Sequence, residues 1–199
     1  MNEWLKLSEK RRLEILNQVN NQTGLPTDAI EKDWWVTITL KAIFSSKFAQ
    51  HLVFKGGTSL SKAYNLIERF SEDIDLSIDR TMLGFEGELS KTQIKKLRKA
   101  SGNFIVGEFK EELISELEKL GVNKENYNLI FDDEIDDTSD PHRIELEYNS
   151  IVEAGEYIPQ RVVIELGARA LLEPNEQKKF NQSLAKYIRN KLLQFNLLK

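Results

Sequence analysis

The sequence predicts an α/β protein whose mixed β-sheet is flanked by helices, on three observations. Two helical patterns occupy the first 46 residues, a short apolar run ends in Gly56-Gly57, and three strand-like stretches follow at 73–78, 143–148 and 161–166. Helices, one strand, a helix and then several strands read as α/β or α+β.

In chain order, Ser8 to Asn20 is a helix, broken at Thr23-Gly24-Leu25-Pro26. A second helix runs from Asp28 to about Ser46 and completes an N-terminal helical pair. Asp28 with Glu31 three residues on resembles a capping arrangement. Trp35, Ile38, Ala42 and Ile43 recur at helical spacing, and Trp34 and Trp35 are expected in the core. Leu52-Val53-Phe54 reads as a buried strand, followed by a helix from Thr58 to about Glu68. Asp73 to Ile78 alternates strictly, which is strand period. The stretch 79–103 reads as an insertion that holds the basic segment Lys91 to Lys99. Phe109, Leu113, Leu117 and Leu120 mark an amphipathic helix. An acidic run, Asp132 to Asp137, precedes the last two strands, and Phe180, Leu184, Ile188, Leu192 and Phe195 outline a terminal helix. Two units follow: residues 1–175 as one domain with its N-terminal helices, and residues 176–199 as a basic amphipathic C-terminal helix.

Composition narrows the chemistry. The 199 residues carry 28 Lys+Arg against 32 Asp+Glu, a net charge of −4, with no Cys and two His. Thiolate nucleophiles and sulfur-ligated zinc are excluded, and a histidine-based triad would have to use His51 or His142. Catalysis therefore falls to carboxylates. Residues 176–199 carry +5 and the remainder −9, an acidic body with a basic tail. The start lacks a signal-peptide core, and no apolar run approaches the ~18 residues that span a membrane. The expectation is a cytoplasmic protein without membrane contact.

One stretch carries the chemistry: Phe54-Lys55-Gly56-Gly57-Thr58-Ser59-Leu60, then Arg69-Phe70-Ser71-Glu72-Asp73-Ile74-Asp75-Leu76. A strand that ends in Gly-Gly and turns into a helix lets the backbone approach a ligand and aims unpaired N–H groups at it, for which phosphate is the natural guest. The spacing is neither a Walker A loop nor a GxGxxG fingerprint. On a strand, Asp73, Asp75 and Ser77 share one face. Two adjacent carboxylates repel unless a cation lies between them, and magnesium is the common solution. Alone, the glycines also suit a plain tight turn and the aspartates a solvated strand face; together they favour metal and phosphate.

Gly-Gly-Thr, a helix, and Arg-x-Ser-x-Asp-Ile-Asp-Leu resemble the nucleotidyltransferase fold, specifically the AbiEii/AbiGii toxin family of type IV toxin–antitoxin systems. Glu31-Lys32-Asp33-Trp34-Trp35-Val36 and Arg161 to Arg169 also look like that family, so the resemblance spans roughly residues 25 to 174. It implies a magnesium-dependent (or manganese-dependent) toxin that moves a nucleotide from an NTP onto an RNA, such as a tRNA end, or onto a protein, with a cognate antitoxin as partner. By position, Asp73 and Asp75 would hold the metal, and Gly56, Gly57 and Thr58 would cradle the triphosphate. Ser71 would support that loop, and Lys55, Lys62 and Arg169 would add charge. The third carboxylate is expected from a neighbouring strand: Glu165, with Glu145 and Glu147 as runners-up. Relatives continue further past Leu172-Glu173-Pro174, so a shortened member is expected. A nucleotide-binding module with weak catalysis and a small-molecule nucleotidyltransferase remain as alternatives.

Overall fold

The computed structural model describes residues 3–62, 73–131, 138–153 and 158–169. Helix α1 spans Glu9–Thr23. Ser8 caps it, accepting from the Arg11 N–H at 3.4 Å, and Gly24, at φ 73°, closes it by donating to the Asn20 carbonyl at 2.7 Å. Helix α2, Thr27–Ser45, starts behind Pro26 and has no side-chain cap. The expected Asp28/Glu31 capping pair does not form. With Pro26 at the N-cap there is no side-chain oxygen to accept from the first turn and no N–H for a reciprocal bond, so a box cannot form. Asp28 accepts instead from the Ala29 N–H at 2.8 Å, and Glu31 turns into the interior.

Nearly every residue of α2 from Ala29 to Ile43 is buried, because the helix is sandwiched between the sheet on one side and α1 and α5 on the other. Trp34 and Trp35 are core residues as expected, 2% and 1% exposed. Trp35 stacks on Tyr148 with ring centroids 5.0 Å apart, which fixes α2 against the sheet.

Strand β1, Leu52–Lys55, runs straight into helix α3, Gly56–Lys62, and β2 is Asp73–Ile78. The remainder of the helix expected to reach Glu68 lies outside the described residues, as do Asp132–Asp137 and everything after Arg169, including the division at residue 175 and the basic terminal helix. The second half of the stretch read as an insertion is helix. Helix α4, Lys91–Phe104, passes through a π turn, Ile105–Phe109, into α5, Lys110–Lys119. Leu97, Phe104, Phe109, Leu113 and Leu117 are all buried along this run. The wider turn keeps both halves of the stripe on the core, which simple helical spacing would not reveal. Ser90 and Gln93 close its start with a reciprocal capping box.

The remaining strands are β3, Tyr127–Phe131, β4, His142–Tyr148, and β5, Arg161–Gly167. Sequence reading did not anticipate β3, whose five residues gain their strand character from pairing with β4. The sheet order is β1-β2-β5-β4-β3, with β2 and β5 parallel and every other pair antiparallel. Ile74, Leu76, Ile78, Ile144, Leu146, Val162, Ile164 and Leu166 form the core face. Burial of each contributes roughly 1.5–3 kcal/mol. Alternation places the charged residues of the same strands on the opposite face.

Candidate active site

That opposite face carries the expected chemistry. Asp75 lies in register with Lys55 on β1 and with Glu165 on β5, and Glu165 lies in register with Arg143 on β4. Lys55, Asp75, Glu165 and Arg143 thus form one row across four strands, at about 4.8 Å per strand. Asp73 sits two residues along β2 on the same face. It is exposed, whereas Asp75 and Glu165 are half-buried. Burial pushes the Asp75 carboxyl above its usual range, the charge of Asp73 adds to this, and Lys55 opposes it.

The glycine turn reaches this row from β1. Gly56 has φ +73°, and a Cβ on it would stand 1.8 Å from Asp75 Oδ2, so only glycine lets the chain pass the carboxylate. Thr58, 1% exposed, donates its hydroxyl to the Asp73 carbonyl and ties α3 to the start of β2. Lys62 extends into the helical layer, where its Nζ donates to Asp33 Oδ1 at 2.6 Å and Thr37 Oγ1 at 3.0 Å.

The structure therefore brings together Asp73, Asp75, Glu165, Lys55, Gly56, Gly57 and Thr58. Arg169 is set apart. Because β5 runs parallel to β2, the chain beyond Gly167 leaves at the Ser77 end, whereas the glycine turn lies at the Asp73 end. Ser71 lies outside the described residues. Of the runners-up, Glu145 is held between Arg143 at 2.9 Å and Arg161 at 3.1 Å, and Glu147 is exposed in register with Arg161. His142 is buried, its Nε2 3.1 Å from the Arg98 carbonyl.

Among the described residues no three His, Cys, Asp or Glu side chains gather into a metal-holding group. Two carboxylates nevertheless fit magnesium, which is bound through one or two carboxylates plus substrate phosphates. The close Asp73–Asp75 placement, which raises the cost of ionising Asp75, is a donor set that a divalent cation would relieve.

Sequence reading missed Asp33, Thr37 and Arg143. The signal for Asp33 was present, since Glu31-Lys32-Asp33 are three consecutive charged residues inside an otherwise apolar helical stretch, and all three are buried.

A five-stranded mixed sheet flanked by helices, with carboxylates on adjacent strands beside a glycine turn, is consistent with the nucleotidyltransferase class. A family model described as nucleotidyl transferase AbiEii toxin, Type IV TA system, matches residues 38–194. The chain belongs to that family of toxin–antitoxin nucleotidyl transferases. No curated protein matches the chain. Among the described residues no helix is long and apolar enough to cross a membrane.

Proposed function

We propose that this protein is the magnesium-dependent toxin of a toxin–antitoxin pair, acting in the cytoplasm to transfer a nucleoside monophosphate from an NTP to an RNA, such as a tRNA end, or to a protein hydroxyl. The observation that carries the reading is the in-register placement of Asp75 and Glu165 on parallel neighbouring strands, with Asp73 and the Gly56 turn beside them. A cognate antitoxin is the partner that the family implies.

Asp73 and Asp75 would hold the metal, and Glu165, in register with Asp75 on β5, stands beside them. Magnesium, when bound, neutralises charge on the phosphates and on the acceptor oxygen. The Gly56-Gly57-Thr58 turn receives the triphosphate, with its backbone close to Asp75 and Thr58 fixing its height over β2. Lys55 supplies a positive charge beside Asp75. The acceptor oxygen bonds to the α-phosphorus, the bond to the bridging oxygen breaks, and pyrophosphate leaves with its electron pair. Glu165 takes the proton released by the acceptor hydroxyl. Positioning and electrostatics do most of the work in such a transfer, which suits a chain with no Cys and two His.

The test is incubation with each labelled NTP, magnesium and bulk tRNA or protein, beside Asp73→Ala and Asp75→Ala. Transfer by the native protein that both substitutions abolish is expected. Transfer that survives in both variants would overturn the site, and nucleotide binding without transfer to any acceptor would identify a binding module.

A further inference from the structure

We infer that the buried Asp33–Lys62 pair, closed by Thr37, is a positioning device that sets the glycine turn over the strand carboxylates and so governs nucleotide affinity. The inference rests on the reading of that turn as the triphosphate cradle. Helix α3 is pinned at two points one turn apart, at Thr58 to the carbonyl of Asp73 and at Lys62 to α2. The second pin is well built. Lys62 Nζ donates to Asp33 Oδ1 at 2.6 Å and to Thr37 Oγ1 at 3.0 Å, while Thr37 donates its own hydroxyl to the Asp33 carbonyl at 2.7 Å.

The side chains of Lys62 and Asp33 are 9% and 11% exposed. A buried ion pair of this kind adds little net stability, because desolvation of both charges offsets their attraction; what it enforces is one geometry, since a displaced partner leaves an uncompensated charge. The geometry matters here because the margin at the other end of α3 is small. Gly56 lies so near Asp75 that even a methyl group would collide with the carboxylate. A tilt of α3 toward β2 closes that approach, and a tilt away widens the cradle. Lys32, beside Asp33, reinforces the template by donating to the Pro159 carbonyl at 3.1 Å, just before the strand that carries Glu165. Helix α2 thereby holds both halves of the site. Lys62 acts as a positioning residue.

The experiment compares Asp33→Asn, Asp33→Glu, Thr37→Val and the control Glu31→Gln in the full chain. It reads ATP, GTP, CTP and UTP affinity with magnesium by calorimetry, KM against kcat where transfer occurs, and hydrogen exchange at Gly56–Ser59. Asp33→Asn should weaken binding and raise KM about tenfold with kcat changed less than about twofold, and should speed exchange at Gly56–Ser59. Asp33→Glu should recover part of the affinity, and Glu31→Gln should leave it unchanged. If Asp33→Asn does not fold, Thr37→Val, which removes the hydroxyl that accepts from Lys62 and donates to the Asp33 carbonyl, carries the test with an affinity loss of roughly threefold. Unaltered affinity in the folded variants overturns the inference. So does tighter binding in Asp33→Asn, which would mean that Asp33 withholds the Lys62 ammonium from phosphate. A native protein that binds no NTP overturns the parent reading instead. Exchange at Gly56–Ser59 then decides the pin alone: faster exchange in Asp33→Asn supports it, and native rates overturn it.

Discussion

Gly56 and Asp75 share a space that admits only one side chain. The carboxylate of Asp75 stands where a Cβ on Gly56 would be, 1.8 Å from Oδ2, and Gly56 holds a φ of +73° that L side chains rarely adopt. Gly56→Ala should therefore cut nucleotide transfer by about 100-fold, the effect of shifting a reacting group by about 1 Å. Its folded state should lose more than about 1–2 kcal/mol, the cost of a left-handed alanine, because Asp75 Cγ and Cβ, 2.7 and 3.0 Å from the added methyl, must shift as well. Initial rates beside thermal melts separate the two effects, and a melt that collapses along with activity would place the role in folding instead.

Removal of the metal should be equivalent to removal of its carboxylates. Chelation by EDTA should abolish transfer, and Asp73→Asn or Asp75→Asn should lower kcat by at least about 100-fold at saturating magnesium, in line with the loss of a charge-stabilising group. Steady-state rates across a magnesium series are the measurement. Full recovery of Asp75→Asn at high NTP would assign it to substrate binding alone.

The stability of the fold should depend on pH through Glu31. Burial raises its carboxyl above the ordinary 4.5, with Asp28 adding to the shift, while the hydrogen bonds from Ser150 and Ile151 and the charge of Arg12 oppose it. A carboxyl whose folded pKa is raised favours folding in its protonated form. Its contribution is complete below 4.5 and is lost as pH rises through the folded pKa. Glu31→Gln does not ionise, so its melting temperature relative to the native protein should rise between about pH 4 and about pH 8. A difference that stays constant over that range would show that Glu31 titrates alike in the folded and unfolded states.

Trp35→Ala should destabilise the protein by about 3–5 kcal/mol, because it empties the contact with Tyr148 at the centre of the core. Trp35→Phe keeps part of the stack and should lose less than half of that. Denaturant titration checks both, and equal losses would show that the aromatic contact contributes little.

Much of this was legible in the residues themselves. The period of two in Asp73-Ile74-Asp75-Leu76 and in Val162 to Leu166 put Asp73, Asp75 and Glu165 on faces opposite to the apolar side chains, since a strand with one buried face has no other register open to it. The glycine pair likewise announced a strand-to-helix turn, because few other residues tolerate that backbone. These are local properties, carried by short stretches of chain. Strand pairing is not local. That Glu165 lies beside Asp75, while Glu145 is occupied by Arg143 and Arg161, follows from β5 running parallel to β2 with β4 on its far side. The destination of Lys62 is equally tertiary: its nearest carboxylate belongs to Asp33, 29 residues earlier, and burial makes that partner compulsory. The sequence by itself determined which side chains face away from the core and where the backbone can turn. Only the tertiary structure decided which of those charges meet, because an ion pair or a strand register is settled by the packing of segments far apart in the chain.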